Sequence, residues 1–395
     1  MKQTILNKRL SLIHLIKYIC KRILLGKSTK VILPPVTFTV EGHEMTAIVS
    51  YINESFYKSP DDIWLRGHSN RSQIFEIKDI LVELGFNVII ADQDDLSFDY
   101  SGRIDLLLGQ GQVFTRLLKT NSAKLNVYYS TTQGPRHLNE AIKTSFLRAR
   151  AKNKLLIRRP IYDNTEEPSV GVDAVFYFGN DYIKRGLNKR FPKSQNRYYQ
   201  VKNGLNRITT KEFKGRDRNT FLYLGSWGSL FRGLDMVLEA FSIREDFKLI
   251  VCNNVEEDTS FALSYVKQLF FTKNIFTLGF VDVASDLFLD IMSTAMFQIY
   301  PTGSDAASSS VTLGMRHGLI PVISKECSVD TFQQGIELVE NDFDNIVESL
   351  DFIKTLPYSE LAKRSQILIE KSEENYSLEA FKKSIKDGVL KIISE

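Results

Sequence analysis

Short runs rich in β-branched and aromatic residues alternate with segments of helical spacing, and the rhythm starts again half-way along the 395 residues. In the first half the strand candidates are residues 46–51, 88–91, 104–108, 125–129, 174–178 and 198–201. Residues 73–84 carry Ile74, Ile77, Ile80, Leu81 and Leu84 at helical spacing and stop at Gly85, which suits a C-cap. In the second half, strand candidates at 221–224, 248–252, 275–278, 297–300 and 321–323 alternate with helices at 233–241, 261–270, 285–294 and 309–317. Alternation of this kind makes parallel sheets with crossover helices. One core seldom grows beyond about 250–300 residues. The 43% hydrophobic content is ample for two. The expectation is therefore two α/β domains, with ligands in a cleft between the carboxyl ends of the two sheets. Residues 206–219, polar and poor in apolar side chains, are the linker candidate, and the apolar positions Leu378, Phe381, Ile385, Val389 and Ile392 give a final helix one buried face.

Residues 1–30 hold Lys2, Lys8, Arg9, Lys17, Lys21, Arg22, Lys27 and Lys30 among interleaved apolar residues, and no acid. No apolar run reaches the roughly 20 residues that a bilayer crossing needs. Lysines interrupt any signal-peptide core. Two readings remain open: a basic amphipathic helix on an anionic membrane surface, or a helix packed on the N-terminal domain with its basic face in water. Cys20, Cys252 and Cys327 lie far apart and show no metal or disulfide spacing, which fits a reducing cytoplasm.

Chemistry is expected in loops that follow strands. Gly225-Ser226-Trp227-Gly228 leads to Arg232-Gly233-Leu234-Asp235, where glycines admit a ligand to the backbone and a helix start with Arg232 suits a phosphate. An ordinary tight turn with an exposed arginine has the same local pattern. Residues 301–310 (PTGSDAASSS) join a strand to a helix. Asp305 is the only carboxylate there, and Ser308, Ser309 and Ser310 can cap the helix or bind phosphate. His137, in a loop just past a strand, can donate to a phosphate or a sugar hydroxyl. His68, Asn70 and Arg71 form a polar cluster before the helix at 73–84, where Ser69, Asn70 or Ser72 could equally be an N-cap. Asp92-Gln93-Asp94-Asp95 contains the short Asp-x-Asp pattern of metal-dependent sugar transferases, too short to carry a metal assignment. Residues 148–159 and 184–218 are strongly basic, which suits a polyanion, a lipid phosphate or plain solvent; no nucleic-acid-binding pattern accompanies them.

The second half resembles the retaining GT-B glycosyltransferases of family four. Four stretches carry the resemblance in order: Val201-Lys202-Asn203-Gly204-Leu205; residues 221–225 (FLYLG) continued by Arg232-Gly233-Leu234-Asp235; residues 275–282 (IFTLGFVD); and residues 301–323. The first half is similar to bacterial acceptor domains at residues 68–70, 85–88, 105–111 and 131–137. The resemblance implies two Rossmann-like domains with parallel sheets facing a central cleft. Residues 31–205 would form the acceptor side and 206–376 the donor side, after a basic helix at 1–30; a helix at 377–395 could belong to either half, by crossing back to the first domain or staying with the second.

The donor, a nucleotide sugar, would meet Gly225, Ser226, Trp227, Arg232, Phe280, Val281, Ser308, Ser309 and Ser310. Asp305 and His137 would be catalytic, and His68, Asn70 and Arg71 would meet a glycan or lipid-linked acceptor. No catalytic metal or other cofactor is implied. The pattern departs from the family's at four places: Asp305 stands for a glutamate, Leu313 for the glutamate that holds the ribose, Ser226 for an arginine and Arg232 for a lysine. These readings lead to a cytoplasmic transferase of polysaccharide biosynthesis, peripheral at the membrane's inner face. A catalytically silent GT-B-like subunit that binds glycan is the rival that Leu313 and Ser226 support.

Overall fold

The computed structural model describes residues 2–25, 31–120, 123–163, 170–191, 197–205 and 215–394. Much of the linker candidate and part of the 184–218 basic stretch lie outside the described residues. The chain forms two compact units: one of residues 1–28, 137–162 and 208–374, the other of residues 29–136, 163–207 and 375–395.

The second of these units holds a seven-stranded sheet. Its strands are β1 (Val36–Phe38), β2 (Met45–Tyr51), β3 (Phe86–Asp92), β4 (Leu106–Gly109), β5 (Leu125–Ser130), β6 (Ala174–Phe178) and β7 (Tyr198–Val201), in the order β1-β3-β2-β4-β5-β6-β7. All neighbours pair parallel except β1 with β3. Every residue of β4 and β6 is buried, as befits parallel strands covered on both faces. The antiparallel edge strand β1 has no counterpart among the sequence candidates, being three residues long and preceded by Pro34-Pro35. The C-terminal helix Leu378–Ser394 packs on the helix Asn70–Glu83 and on β7 in this unit. Lys382 pairs with Glu76 at 2.8 Å, and Phe381 occupies the space that a Cβ on Gly204 would need.

The other unit is built on a fully parallel six-stranded sheet: β8 (Asp217–Leu224), β9 (Lys248–Cys252), β10 (Ile275–Thr277), β11 (Ala295–Tyr300), β12 (Ile320–Ser324) and β13 (Ile336–Leu338), ordered β10-β9-β8-β11-β12-β13. Phe221 on the central strand packs against Phe241, Phe247 and Phe297, with ring centroids 4.7–5.4 Å apart. Pairs of this kind add to the burial of the rings themselves.

The N-terminal residues pack in this unit rather than with the first sheet, and they form two helices, Gln3–Leu6 and Leu12–Leu25, instead of one. The break has a local cause: the Leu10 N–H donates to Thr277 O at the end of β10 and so leaves helical bonding, while Arg9 donates to Thr272 O. Ile5 is buried with Leu222, Ile250, Phe288 and Ile291, and Lys2 pairs with Asp290 at 2.7 Å. No described helix is long and apolar enough to cross a membrane.

His317, fully buried, lies edge-on to Phe288 at 5.7 Å. Burial, reinforced by the charges of Arg216 and Arg316, depresses its pKa to about 4. The unfolded imidazole titrates near 6.5. The folded state therefore holds the ring neutral, and its contribution to stability is present above about pH 6.5 and lost as the pH falls towards 4. Between pH 7.5 and pH 5 the loss from this group should be on the order of 2 kcal/mol. Urea unfolding of wild type and His317→Leu at both pH values should show that difference as a shallower pH dependence in the variant.

Candidate functional site

The loop after β8 is shaped by a lack of room. A Cβ on Gly225 would meet the Tyr223 ring at 2.9 Å and the Asn253 amide at 3.0 Å. Asn253, buried just past β9, donates to Ser226 O at 2.8 Å and accepts from the Ser229 hydroxyl at 3.2 Å, which sets the course of the loop. Gly233 has φ +74°, and a Cβ there would lie 2.3 Å from Pro301 O. The helix Leu234–Ile243 starts next, and its Asp235 is fully buried. Arg148, on the helix Pro135–Ala151, grips Asp235 with two bonds of 2.8 and 2.9 Å and donates to Leu230 O at 3.2 Å. Burial disfavours the Arg148 charge, but the Asp235 carboxylate outweighs it and raises the pKa.

The loop after β11 closes on the same place. Gly303 N–H donates to Phe231 O at 2.7 Å. The Asp305 carboxylate accepts from Arg232 at 2.6 Å, from the Tyr300 hydroxyl at 3.3 Å and from the Ala306 N–H at 2.9 Å. Arg232 also donates to Trp227 O at 2.8 Å and to the Tyr300 hydroxyl. Burial opposes the charge on Arg232, yet Tyr300 and Asp305 reverse the balance and its pKa rises. Tyr300 is 1% exposed, and burial raises its pKa. His137 Nδ1 and the Ser304 hydroxyl share a hydrogen bond of 3.2 Å, and burial lowers the histidine's pKa. Arg232, Tyr300, Asp305, Ser304 and His137 thus form one constellation at the carboxyl ends of β8 and β11, the position where open parallel sheets bind ligands.

Several residues stand differently from their sequence reading. His137 belongs to the first turn of the helix Pro135–Ala151 and not to a loop, because Pro135 opens that helix, where its missing N–H costs nothing. The Val281 side chain is buried with Leu278 and Phe288 and offers a ligand only its backbone, whereas neighbouring Phe280 is 66% exposed. Leu313 packs partly buried on that same apolar cluster. Gly225, Ser226 and the exposed Trp227 occupy the β8 loop as expected. Ser308 and Ser310 hydroxyls lie 3.1 Å apart, with Ser309 between them opening the helix Ser309–Arg316. His68, Asn70 and Arg71 belong to the other unit. There the Arg71 guanidinium donates to Trp64 O at 2.6 Å and lies over the Trp64 ring at 3.8 Å, which engages it within its own turn. The N-cap of that helix is Ser69, with no side-chain cap bond. Asp92 and Asp95 accept the N–H groups of Asp94 and Ser97 in their own turns. Tyr300, Asn253 and Arg148 were not singled out as site residues from sequence. Tyr300 left a trace as the polar-tipped last residue of a strand ahead of a candidate loop, and Arg148 as the first residue of the basic stretch 148–159.

No protein-family model matches the sequence, and no curated protein matches it. Solved structures do share the fold. The sucrose-phosphate synthase from Thermosynechococcus elongatus superposes with a TM-score of 0.58 over 89% of this chain and 99% of that one, at 10% identity. WaaG, a glycosyltransferase involved in lipopolysaccharide biosynthesis, gives 0.52 over 87% and 99% at 13% identity. TarM gives 0.50 over 73% of this chain at 11% identity, and the chain spans only 54% of the TarM chain. The fold is that of the GT-B glycosyltransferase structures, and at these identities the likeness is one of fold.

The Arg148–Asp235 pair sets a stability test. Arg148→Ala should cost about 3–5 kcal/mol, because it strands a buried carboxylate. Arg148→Met combined with Asp235→Leu should recover most of that loss. Urea unfolding of the wild type and the two variants reads both outcomes, and equal losses in the single and double variants would contradict the assignment.

Proposed function

We propose that the chain is a glycosyltransferase that moves a sugar from a nucleotide-sugar donor to a glycan or lipid-linked acceptor in polysaccharide biosynthesis, with retention of anomeric configuration. The observation that carries this reading is the pairing of Arg232 with Asp305 at the carboxyl ends of adjacent strands of a GT-B fold. Arg232 keeps its proton under all ordinary conditions, so it can meet donor phosphate in ground and transition states alike. An arriving phosphate competes with Asp305 for that guanidinium. The carboxylate is then released towards a donor-sugar hydroxyl, or towards positive charge that develops at the sugar carbon. His137, whose lowered pKa leaves it neutral at pH 7, supplies a neutral hydrogen-bonding group to a sugar hydroxyl or phosphate oxygen. Ser308, Ser309 and Ser310 stand at a helix N-terminus, which favours an anion. The exposed Phe280 and Trp227 suit stacking on a base or sugar. Acceptor contact is assigned to His68 and Asn70; Arg71, held by Trp64, contributes less than its charge suggests.

Asp305→Asn keeps the shape and removes the charge. Its kcat should fall about 10²–10³-fold, with a much smaller change in KM. Arg232→Ala should weaken donor binding as well, measured by calorimetry with a panel of nucleotide sugars. Near-normal kcat in Asp305→Asn would remove this carboxylate from the mechanism. Failure of the wild type to bind or hydrolyse any nucleotide sugar would replace the transferase by a glycan-binding subunit.

A further inference from the structure

The turn after β9 holds a carboxylate with no partner in the protein. Val255 is fully buried and anchors the turn. The next residue, Glu256, has its Oε2 atom buried, and no protein group donates to it. No described cation pairs with Glu256 either. A buried carboxylate oxygen without a donor has lost its hydration and gained nothing in exchange, which marks it as a group that meets a ligand. The loop after β10 makes room for it. Gly279 has φ +74°, and a Cβ there would lie 3.2 Å from Glu256 Oε1 and 2.8 Å from Leu10 Cδ1. Leu10 is held in place by its N–H, which donates to Thr277 O at 2.7 Å. Leu278 and Val281 are buried on either side of this glycine, while Phe280, next to it in sequence, is turned outwards. The neighbouring acids are engaged within their own turn: Glu257 accepts from Asn254, and Asp258 from the Ser260 hydroxyl and the Phe261 N–H.

The place of Glu256 in the sheet limits what it can meet. In the order β10-β9-β8-β11, the Arg232–Asp305 pair stands at the ends of β8 and β11, and Glu256 and Gly279 stand at those of β9 and β10. Adjacent strands lie about 4.8 Å apart, so β10 is about 10 Å from β8. On the transferase reading, on which this step rests, a donor diphosphate held by Arg232 carries its ribose over β9 and its base to Gly279 and Phe280. We infer that the base is guanine and that Glu256 reads it, with the Phe280 ring as a stacking face. An ionised carboxylate has two acceptor oxygens and no donor. Guanine presents two adjacent N–H donors on one edge, N1–H and the 2-amino group, and two parallel bonds to one carboxylate are a strong, directional arrangement. Uracil presents a single N–H between two carbonyls, which the carboxylate repels. Adenine and cytosine each set a ring-nitrogen acceptor beside their amino group, with the same result. Glu256 is thus a specificity-determining residue, and the donor class it selects is a guanosine diphosphate sugar.

The test is calorimetric titration of the full chain with guanosine, inosine, uridine, adenosine and cytidine diphosphates. The guanosine compound should bind most tightly. Inosine diphosphate lacks only the 2-amino group and should bind about tenfold or more weakly, the worth of one hydrogen bond to a charged group. Glu256→Gln should weaken guanosine diphosphate by about 10–100-fold and uridine diphosphate by much less. Because no protein group bonds to the Glu256 carboxylate, the variant should melt no lower than wild type. The guanosine–inosine comparison on wild type needs no variant at all. Any other base bound as tightly as guanine, or a Glu256→Gln variant that keeps the full guanine preference, overturns the inference and leaves a nucleotide-sugar transferase standing. Failure to bind any of the five diphosphates removes the transferase reading as well, so the two failures are told apart.

Discussion

Arg148 and Asp235, 87 residues apart, hold the site's framework in place. Asp235 begins the helix that follows the β8 loop, and the third bond from Arg148, to Leu230 O, fixes that loop directly. The helix that carries Arg148 also carries His137 in its first turn, so the bond that orients the β8 loop also helps bring an imidazole to Ser304, beside Asp305. Burying an ion pair gains little net stability, because each charge loses its hydration. What the pair gives here is register: only one placement of the helix Pro135–Ala151 satisfies a fully buried carboxylate with two bonds and the Leu230 carbonyl with a third.

The strands were legible in the sequence because parallel strands need apolar residues on both faces, and such runs are conspicuous. Ala174–Phe178, Tyr198–Val201 and Lys248–Cys252 match their sequence bounds. The edge strands Val36–Phe38 and Ile336–Leu338 are too short to show a period. Pro135–Ala151 was hidden for another reason. Gly134-Pro135 at its entry has turn chemistry, and its later residues are basic, so its one buried stripe is thin. The 261–270 helix of the sequence reading is a short helix, Thr259–Ser264, followed by a π-helical turn at Lys267–Phe271. Propensity alone does not separate these geometries.

The site was legible in part. Loops at the carboxyl ends of strands pointed to residues 225–232 and 301–310, and Arg232 and Asp305 were singled out separately. Their pairing was not visible, because nothing local links two residues 73 positions apart. Asn253 and Tyr300 escaped for the same reason: each acts on a loop that belongs to another strand. The N-terminal residues show the opposite limit. Their composition pointed to one amphipathic helix, and the competition for the Leu10 N–H by the end of β10 made two.

The charge balance of the site has a consequence for how a donor would enter on the transferase reading. With Asp305 bound, Arg232 presents little net field, and the Tyr300 hydroxyl, donating to Asp305, is spent on the same carboxylate. A diphosphate brings more negative charge than Asp305 carries, so it outcompetes the carboxylate for the guanidinium only where the remaining charge is also met. The serines at the start of the helix Ser309–Arg316, at the positive end of the helix dipole, are the neighbouring groups that can meet it. Leu313, one turn further on, faces the apolar cluster and supplies no hydrogen bond. Recognition would then rest on the phosphates, through Arg232 and the helix start, more than on the ribose.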